Sequence, residues 1–428
     1  MKFLNIFLFV LAAWCLQAQP APAPAQTQSI AIYGGTAHIG NGNVIQSSLI
    51  VFENGKITQV ADMSRIRFNK DAYGKAIDAT GKHVYPGFIA GNSSMGLVEI
   101  GAVRATRDSR ELGNLNPHIR SIIAYTADSD VPPTTRANGV LMAQVVPSGG
   151  RIDGQSTIVQ LDAWNWEDAA YKMDEGIYMT YPSRFSWSWR TRSLDKNKDF
   201  DKQLKEVEDI FSEAAAYAKN PSLTSKNLKF EAMKGLFDGS KKLYVKVGMA
   251  KSITEVVLMM KKVGITPVIV GGSESWVVAD FLKKNNVPVM LSKTHDLPRN
   301  DDSDIDQPFK TPRMLEEAGV LWCLQMSDGP SQERNLPFQA GHAVGFGLDK
   351  EVAVKSISLN AAKIMGIDKT VGSLETGKDA TLFISGGDAL DYRGNDVQHA
   401  FIQGREIDLD DKQKALYRKY KEKYENQK

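Results

Sequence analysis

The chain has 428 residues, 42% of them hydrophobic and 24% charged. Such fractions belong to a globular protein and exclude wholesale disorder, collagen and coiled coil. With 52 basic against 50 acidic residues the net charge is +2; no basic excess is available for a phosphate backbone, so nucleic-acid binding is not expected.

Residues 1–18 read as an export signal. Lys2 supplies a positive start, an apolar stretch follows, and Ala18 offers a small residue before Gln19. The stretch is too short for a bilayer core, which takes ~20 apolar residues. The expectation is an exported chain, periplasmic or extracellular, beginning near Gln19. Lipidation of Cys15 would want a small residue where bulky Trp14 stands. Residues 19–28 form a Pro/Ala tether. Loss of Cys15 leaves Cys323 alone, in an apolar run that reads as a buried, inert thiol.

Residues 29–82 alternate as short strands, with a hairpin signal at Asn54-Gly55. From residue 83 to 371 the pattern changes. Apolar runs at 84–89, 140–146, 177–181, 243–247, 266–270, 287–291 and 320–326 are separated by helical spacing at 253–263, 275–284 and 312–318. Apolar strands alternating with helices indicate an α/β fold with a parallel sheet covered on both faces. Seven runs, with an eighth strand expected within 185–240, predict a (β/α)8 TIM-like barrel. Residues 372–408 return to strands and are expected to join 29–82 in a small composite β-sandwich made from both chain ends. Residues 409–428 predict a charged helix with a packing stripe of Leu416, Tyr417, Tyr420 and Tyr424.

Particular residues carry a family resemblance. Gly55-Lys56-Ile57, Ile77-Asp78, Gly81-Lys82 and the run Val84-Tyr85-Pro86-Gly87-Phe88-Ile89 resemble the start of an amidohydrolase-superfamily chain. Gly372-Ser373-Leu374-Glu375 and Gly377-Lys378-Asp379-Ala380-Thr381-Leu382 resemble that family's return from the barrel, and Asn360-Ala361-Ala362-Lys363-Ile364-Met365-Gly366 its last barrel helix. The likeness spans residues 29–406 and is greatest to imidazolonepropionase-like members. It implies a barrel with a composite β-sandwich and hydrolysis of C–N bonds by a metal-activated water.

The resemblance also implies ligands that are missing. The two histidine positions after the first barrel strand hold Asn92 and Ser94, Lys246 stands where a third histidine would, and Val270-Gly271 where a fourth would. Only Asp328 matches. Of six histidines, His38 and His399 fall in the small β-domain, His83 at the wrong end of the first strand and His342 on a helical stretch. His118 and His295 alone could reach the mouth. Zinc or iron would want imidazole and carboxylate donors, so no metal and no other cofactor is expected.

Several groups remain as candidates. Asp328 with Lys246 or His295 could form a rebuilt catalytic site. Lys246 could equally be a structural cation paired with Asp328 or another carboxylate. Arg104 and Arg107, after the first strand, could meet a ligand carboxylate or belong to a salt-linked loop. Gly271-Gly272-Ser273-Glu274 could hold an anion on backbone N–H groups, or be a tight turn with Ser273 as N-cap. Trp187 and Trp189 could face a partner or a flat ligand, or pack as a lid. Two functions follow. One is a pseudoenzyme acting as a ligand-binding or partner-supporting subunit, its partner a related metal-bearing amidohydrolase or a second copy. The other is an active exported hydrolase with a rebuilt site around Asp328.

Overall fold

The computed structural model describes residues 21–190, 192–220, 225–298, 302–326 and 329–426. The export signal, Cys15 and Asp328 lie outside the described residues.

The Asn-Gly pair turns the chain as its chemistry allows. Asn54 and Gly55 take φ of 52° and 78°, a left-handed pair suited to a two-residue hairpin, between strands Ser48–Glu53 and Lys56–Asp62. These two strands, Ile30–Tyr33 and Lys75–Asp78 make a four-stranded sheet. A six-stranded sheet faces it. There His83–Pro86 lies between Thr36–His38 from the first part of the chain and Leu382–Ser385 from the last. Ile32, Ile50, Phe52, Leu382 and Phe401 are fully buried in one cluster of this sandwich. The composite domain thus draws on both chain ends.

The run at 84–89 is not one barrel strand. His83–Pro86 belongs to the sandwich and Phe88–Ser93 to the barrel. Pro86 and Gly87 divide them. A Cβ on Gly87 would come within 2.9 Å of the Thr381 methyl and 3.0 Å of Leu141, so only glycine lets the chain pass between the two bodies.

Eight strands form the barrel sheet: β1 Phe88–Ser93, β2 Val140–Val145, β3 Ile152–Gln160, β4 Ala170–Thr180, β5 Lys242–Val247, β6 Val268–Gly271, β7 Val289–Leu291 and β8 Trp322–Leu324. Seven run parallel. β3 is antiparallel to both β2 and β4. The expected eighth strand within 185–240 is absent among the described residues. That stretch holds a small hairpin, Phe185–Ser188 with Ser193–Lys196, and the helices Phe200–Ala218, Leu228–Met233 and Gly235–Asp238. Hairpin connections put β3 into the sheet instead. Its reversed direction brings its first residues to the end where parallel strands finish.

No ladder joins β8 to β1 among the described residues, and polar contacts bridge the gap. Asn92 Nδ2 donates to Gln325 Oε1 at 3.3 Å, the Ile89 N–H to the Ile357 carbonyl at 2.9 Å, and Asn360 Nδ2 to the Trp322 carbonyl at 2.9 Å. The helix Ala250–Lys262 covers the sheet with Ile253, Val256, Val257 and Met260 on its buried side, the spacing of a core-facing stripe.

The C-terminal helix, Lys412–Glu425, has no buried residue. Leu416, Tyr417, Tyr420 and Tyr424 are exposed, which corrects the expected packing stripe: the helix rests only its first turn on the barrel, through Lys412–Asp130 and Thr134–Gln413. Among the described residues no helix is long and apolar enough to cross a membrane.

Candidate functional site

The barrel interior is filled. Tyr178 on β4 and Tyr244 on β5 stack with ring centres 4.6 Å apart, both fully buried beside Met290 and Cys323. Gly176 makes room for them, since a Cβ there would meet the Tyr244 ring at 2.3 Å. Below the stacked rings Glu175 is almost wholly buried. It accepts from Gln144 Nε2 at 2.5 Å, the Ser156 hydroxyl at 2.6 Å and the Tyr244 hydroxyl at 2.9 Å. Burial pushes its carboxyl above the usual glutamate range, against those three donors. The Tyr178 hydroxyl donates to Gln144 Oε1 at 2.6 Å. Cys323 is buried, and desolvation alone drives its thiol upward, so it stays an unreactive thiol.

At the end where the parallel strands finish lies a cavity of about 370 Å³. Asn92, Ser93, Ser94, Arg107, Lys246 and Glu333 are among its polar lining residues. Lys246 Nζ lies 3.2 Å from Asp153 Oδ2 and 5.4 Å from the centre of the Tyr178 ring. Asp153, on the reversed strand, has a side chain with no exposure and also accepts from the Gly150 N–H at 2.9 Å. The carboxylate facing Lys246 is therefore Asp153.

Glu333, on the turn Pro330–Asn335, is 1% exposed. Its Oε1 accepts from the Ser93 hydroxyl at 2.6 Å, while Oε2 is buried without a hydrogen-bond partner. Desolvation pushes this carboxyl up to about 8, with Ser93 and the Ser94 N–H holding it down. A carboxyl shifted so far by burial in a cleft marks a functional candidate. Sequence reasoning missed it. It stands five residues beyond Asp328, in a segment with no motif. Asp153 falls outside the apolar runs read as barrel strands, because nothing in its neighbours announces a strand running backwards.

The other candidates fall as follows. Asn92 lines the cavity, but its amide is engaged with Gln325 across the barrel gap. Ser94 lines it, and so does Arg107, which is exposed and in no ion pair among the described residues. Arg104 sits on an exposed turn, Arg104–Thr106, outside that wall. His295 is not brought to Lys246: its N–H donates to Gln339 Oε1 at 2.8 Å, and its ring packs 5.4 Å from His342 and 6.1 Å from Phe309. Glu274 lines a second hollow of about 450 Å³ at the ends of β5 to β7. There its carboxylate accepts from the Ala250 N–H at 2.8 Å, capping the helix Ala250–Lys262. Ser273 is not an N-cap; its hydroxyl donates to the Gly248 carbonyl at 3.4 Å. Trp189 is 86% exposed next to the hairpin, and Trp187 pairs through its backbone with Leu194.

The donors in the cavity do not suit a transition metal. Amide and hydroxyl oxygens bind zinc or iron poorly, and Lys246 presents an ammonium already held by a carboxylate. Among the described residues no three His, Cys, Asp or Glu side chains are grouped to hold a metal ion.

Residues 197–407 match the model of the amidohydrolase family. Among solved structures, an amidohydrolase from Thermotoga maritima MSB8 superposes with a TM-score of 0.74 at 21% identity, over 89% of this chain and 99% of that one. Molinate hydrolase gives 0.56 at 16% identity, over 90% and 95%. A prolidase complexed with N-methylphosphonate-L-proline gives 0.52 at 14% identity, over 89% and 99%. At such identities these likenesses are of fold alone. No curated protein sequence matches the chain.

Proposed function

We propose, from the match of residues 197–407 to the amidohydrolase family and the shared fold, that the barrel mouth binds a small polar ligand without metal-dependent hydrolysis. The chain then acts as a ligand-binding or partner-supporting subunit. The observation that carries this reading is Lys246. At a position where the family would offer a metal ligand, it is a cation paired with Asp153 and laid over Tyr178, in the cavity that Asn92 and Ser94 also line. A positive charge there opposes a metal ion directly. The partner is a related metal-bearing amidohydrolase or a second copy, held through the hairpin that leads to Trp189.

The test is metal content with thermal stability. A metal that binds only the folded state raises stability as RT ln(1 + [L]/Kd). A chelator should therefore leave the melting temperature unchanged, and elemental analysis should find well under one zinc or iron per chain. One tightly bound metal per chain, lost together with hydrolytic activity in Asp328→Ala, would instead establish a working hydrolase with a rebuilt site.

Export completes the proposal, on the strength of Lys2, the apolar stretch and Ala18. N-terminal sequencing of the protein recovered from its source cells should begin near Gln19. A retained Met1, or a lipid on Cys15, would contradict it.

A further inference from the structure

We propose that the mouth cavity takes a small organic carboxylate, its charge met by Arg107 and Lys246 and one of its oxygens meeting the buried, unpartnered Oε2 of Glu333. This rests on the ligand-binding reading above and names the ligand's class.

The argument begins with Glu333. Its two oxygens are unequal. Oε1 accepts from the Ser93 hydroxyl at 2.6 Å, and Ser93 in turn accepts from the Met95 N–H at 2.9 Å. With the Ser93 hydroxyl donating to it, Oε1 is the carbonyl-like side. Oε2 is left buried without a partner. A neutral acid in this setting carries its proton on Oε2, and that proton has no acceptor in the protein. An unmet buried donor is costly, and a ligand oxygen in the cavity would satisfy it.

Burial, not a neighbouring charge, raises the Glu333 carboxyl, and most charged groups packed near it are already balanced. Lys246 is already balanced by Asp153. Arg136, on the neighbouring helix Val131–Arg136, is balanced by Asp162 at 2.7 Å. His342, on the helix Leu336–Gly345, faces His295 and Phe309. Tyr125, whose phenol is raised by burial and by Glu99 and Glu333, stays neutral. Arg107 is left as a cation with no ion-pair partner among the described residues, and it lines the same cavity as Lys246. Arginine's planar fork matches a carboxylate. A cavity of about 370 Å³ limits the guest to a small molecule.

Calorimetric titration of the whole protein with acetate, succinate and N-acetylglycine, at pH 7 and pH 9.5, tests this. These ligands are fully ionised at both values, so the pH response reports the protein. At least one should bind at pH 7 and lose about tenfold in affinity by pH 9.5, as Glu333 loses its proton. Glu333→Gln keeps a donor and an acceptor and should bind with little change between the two pH values. Arg107→Met should weaken binding about tenfold at both. If Glu333→Gln fails to fold, Ser93→Ala removes a contact that lowers the Glu333 carboxyl and should move the pH midpoint upward. No binding by any of the three, or an equal pH response in wild type and Glu333→Gln, overturns the proposal. Inorganic phosphate binding in place of the carboxylates overturns the ligand class. Uncharged acetamide binding alone would overturn it too, yet leave the metal-free reading standing, whereas one zinc per chain removes that reading itself.

Discussion

Glu175→Ala should cost the protein roughly 5 kcal/mol or more of unfolding free energy. The substitution leaves Gln144 Nε2, the Ser156 hydroxyl and the Tyr244 hydroxyl without their shared acceptor. Each orphaned buried donor costs ~1–3 kcal/mol, and the lost side chain adds a cavity. Glu175→Gln keeps one acceptor oxygen and the volume, and should cost about 1–2 kcal/mol. Denaturant unfolding of the two variants measures the difference. An alanine variant within 1 kcal/mol of wild type would mean that water replaces the carboxyl and that the network does not hold the barrel together.

The pH response follows from the direction of the shifts. Glu175 and Glu333 both have carboxyls raised by burial, the latter to about 8. A group that holds its proton more tightly folded than unfolded contributes stability below the ordinary glutamate range. That contribution disappears as pH rises through the folded value. For Glu333 the window runs from about pH 4.5 to about 8. Wild type should therefore be less stable at pH 9 than at pH 6, and Glu333→Gln should flatten that part of the profile.

Lys246→Met should be the second large loss, about 3–5 kcal/mol, because it strands Asp153 as an uncompensated charge with no exposed surface. The double variant Lys246→Met/Asp153→Asn removes both charges. It should recover most of the loss, since the pair has offset desolvation costs rather than added net stability. A double-mutant cycle by chemical denaturation reads the coupling. If the single variant proves no less stable than the double, Asp153 is solvated and the cation is free to serve another role. That outcome would also weaken the case against a metal, because an unlocked lysine no longer competes for the position.

Much of the fold was legible because it rests on short-range patterns. Asn54-Gly55 needs only its own backbone to specify a hairpin, and the apolar runs that became β2, β5, β6, β7 and β8 reflect strands buried on both faces. The two-ended sandwich followed from strand patterns before and after the barrel. Pro86-Gly87 carried a boundary in plain view, yet its meaning depended on Thr381 and Leu141, nearly 300 and over 50 residues away.

The candidate site divides in the same way. By itself the sequence determined the side-chain chemistry at Asn92, Ser94 and Lys246, which residue identity settles whatever the packing. Which groups meet there was decided only in three dimensions. Strand direction is not written in alternation, since a strand buried on both faces reads alike in either sense, so the reversal of β3 that delivers Asp153 to Lys246 was invisible. His295 looked available until Gln339 and His342 claimed it, and Glu333 stood in no motif, its burial and its bond to Ser93 being products of the fold. Burial is a property of neighbours brought together by the whole fold, and burial is what pushes the Glu333 carboxyl up to about 8 at the mouth of the barrel.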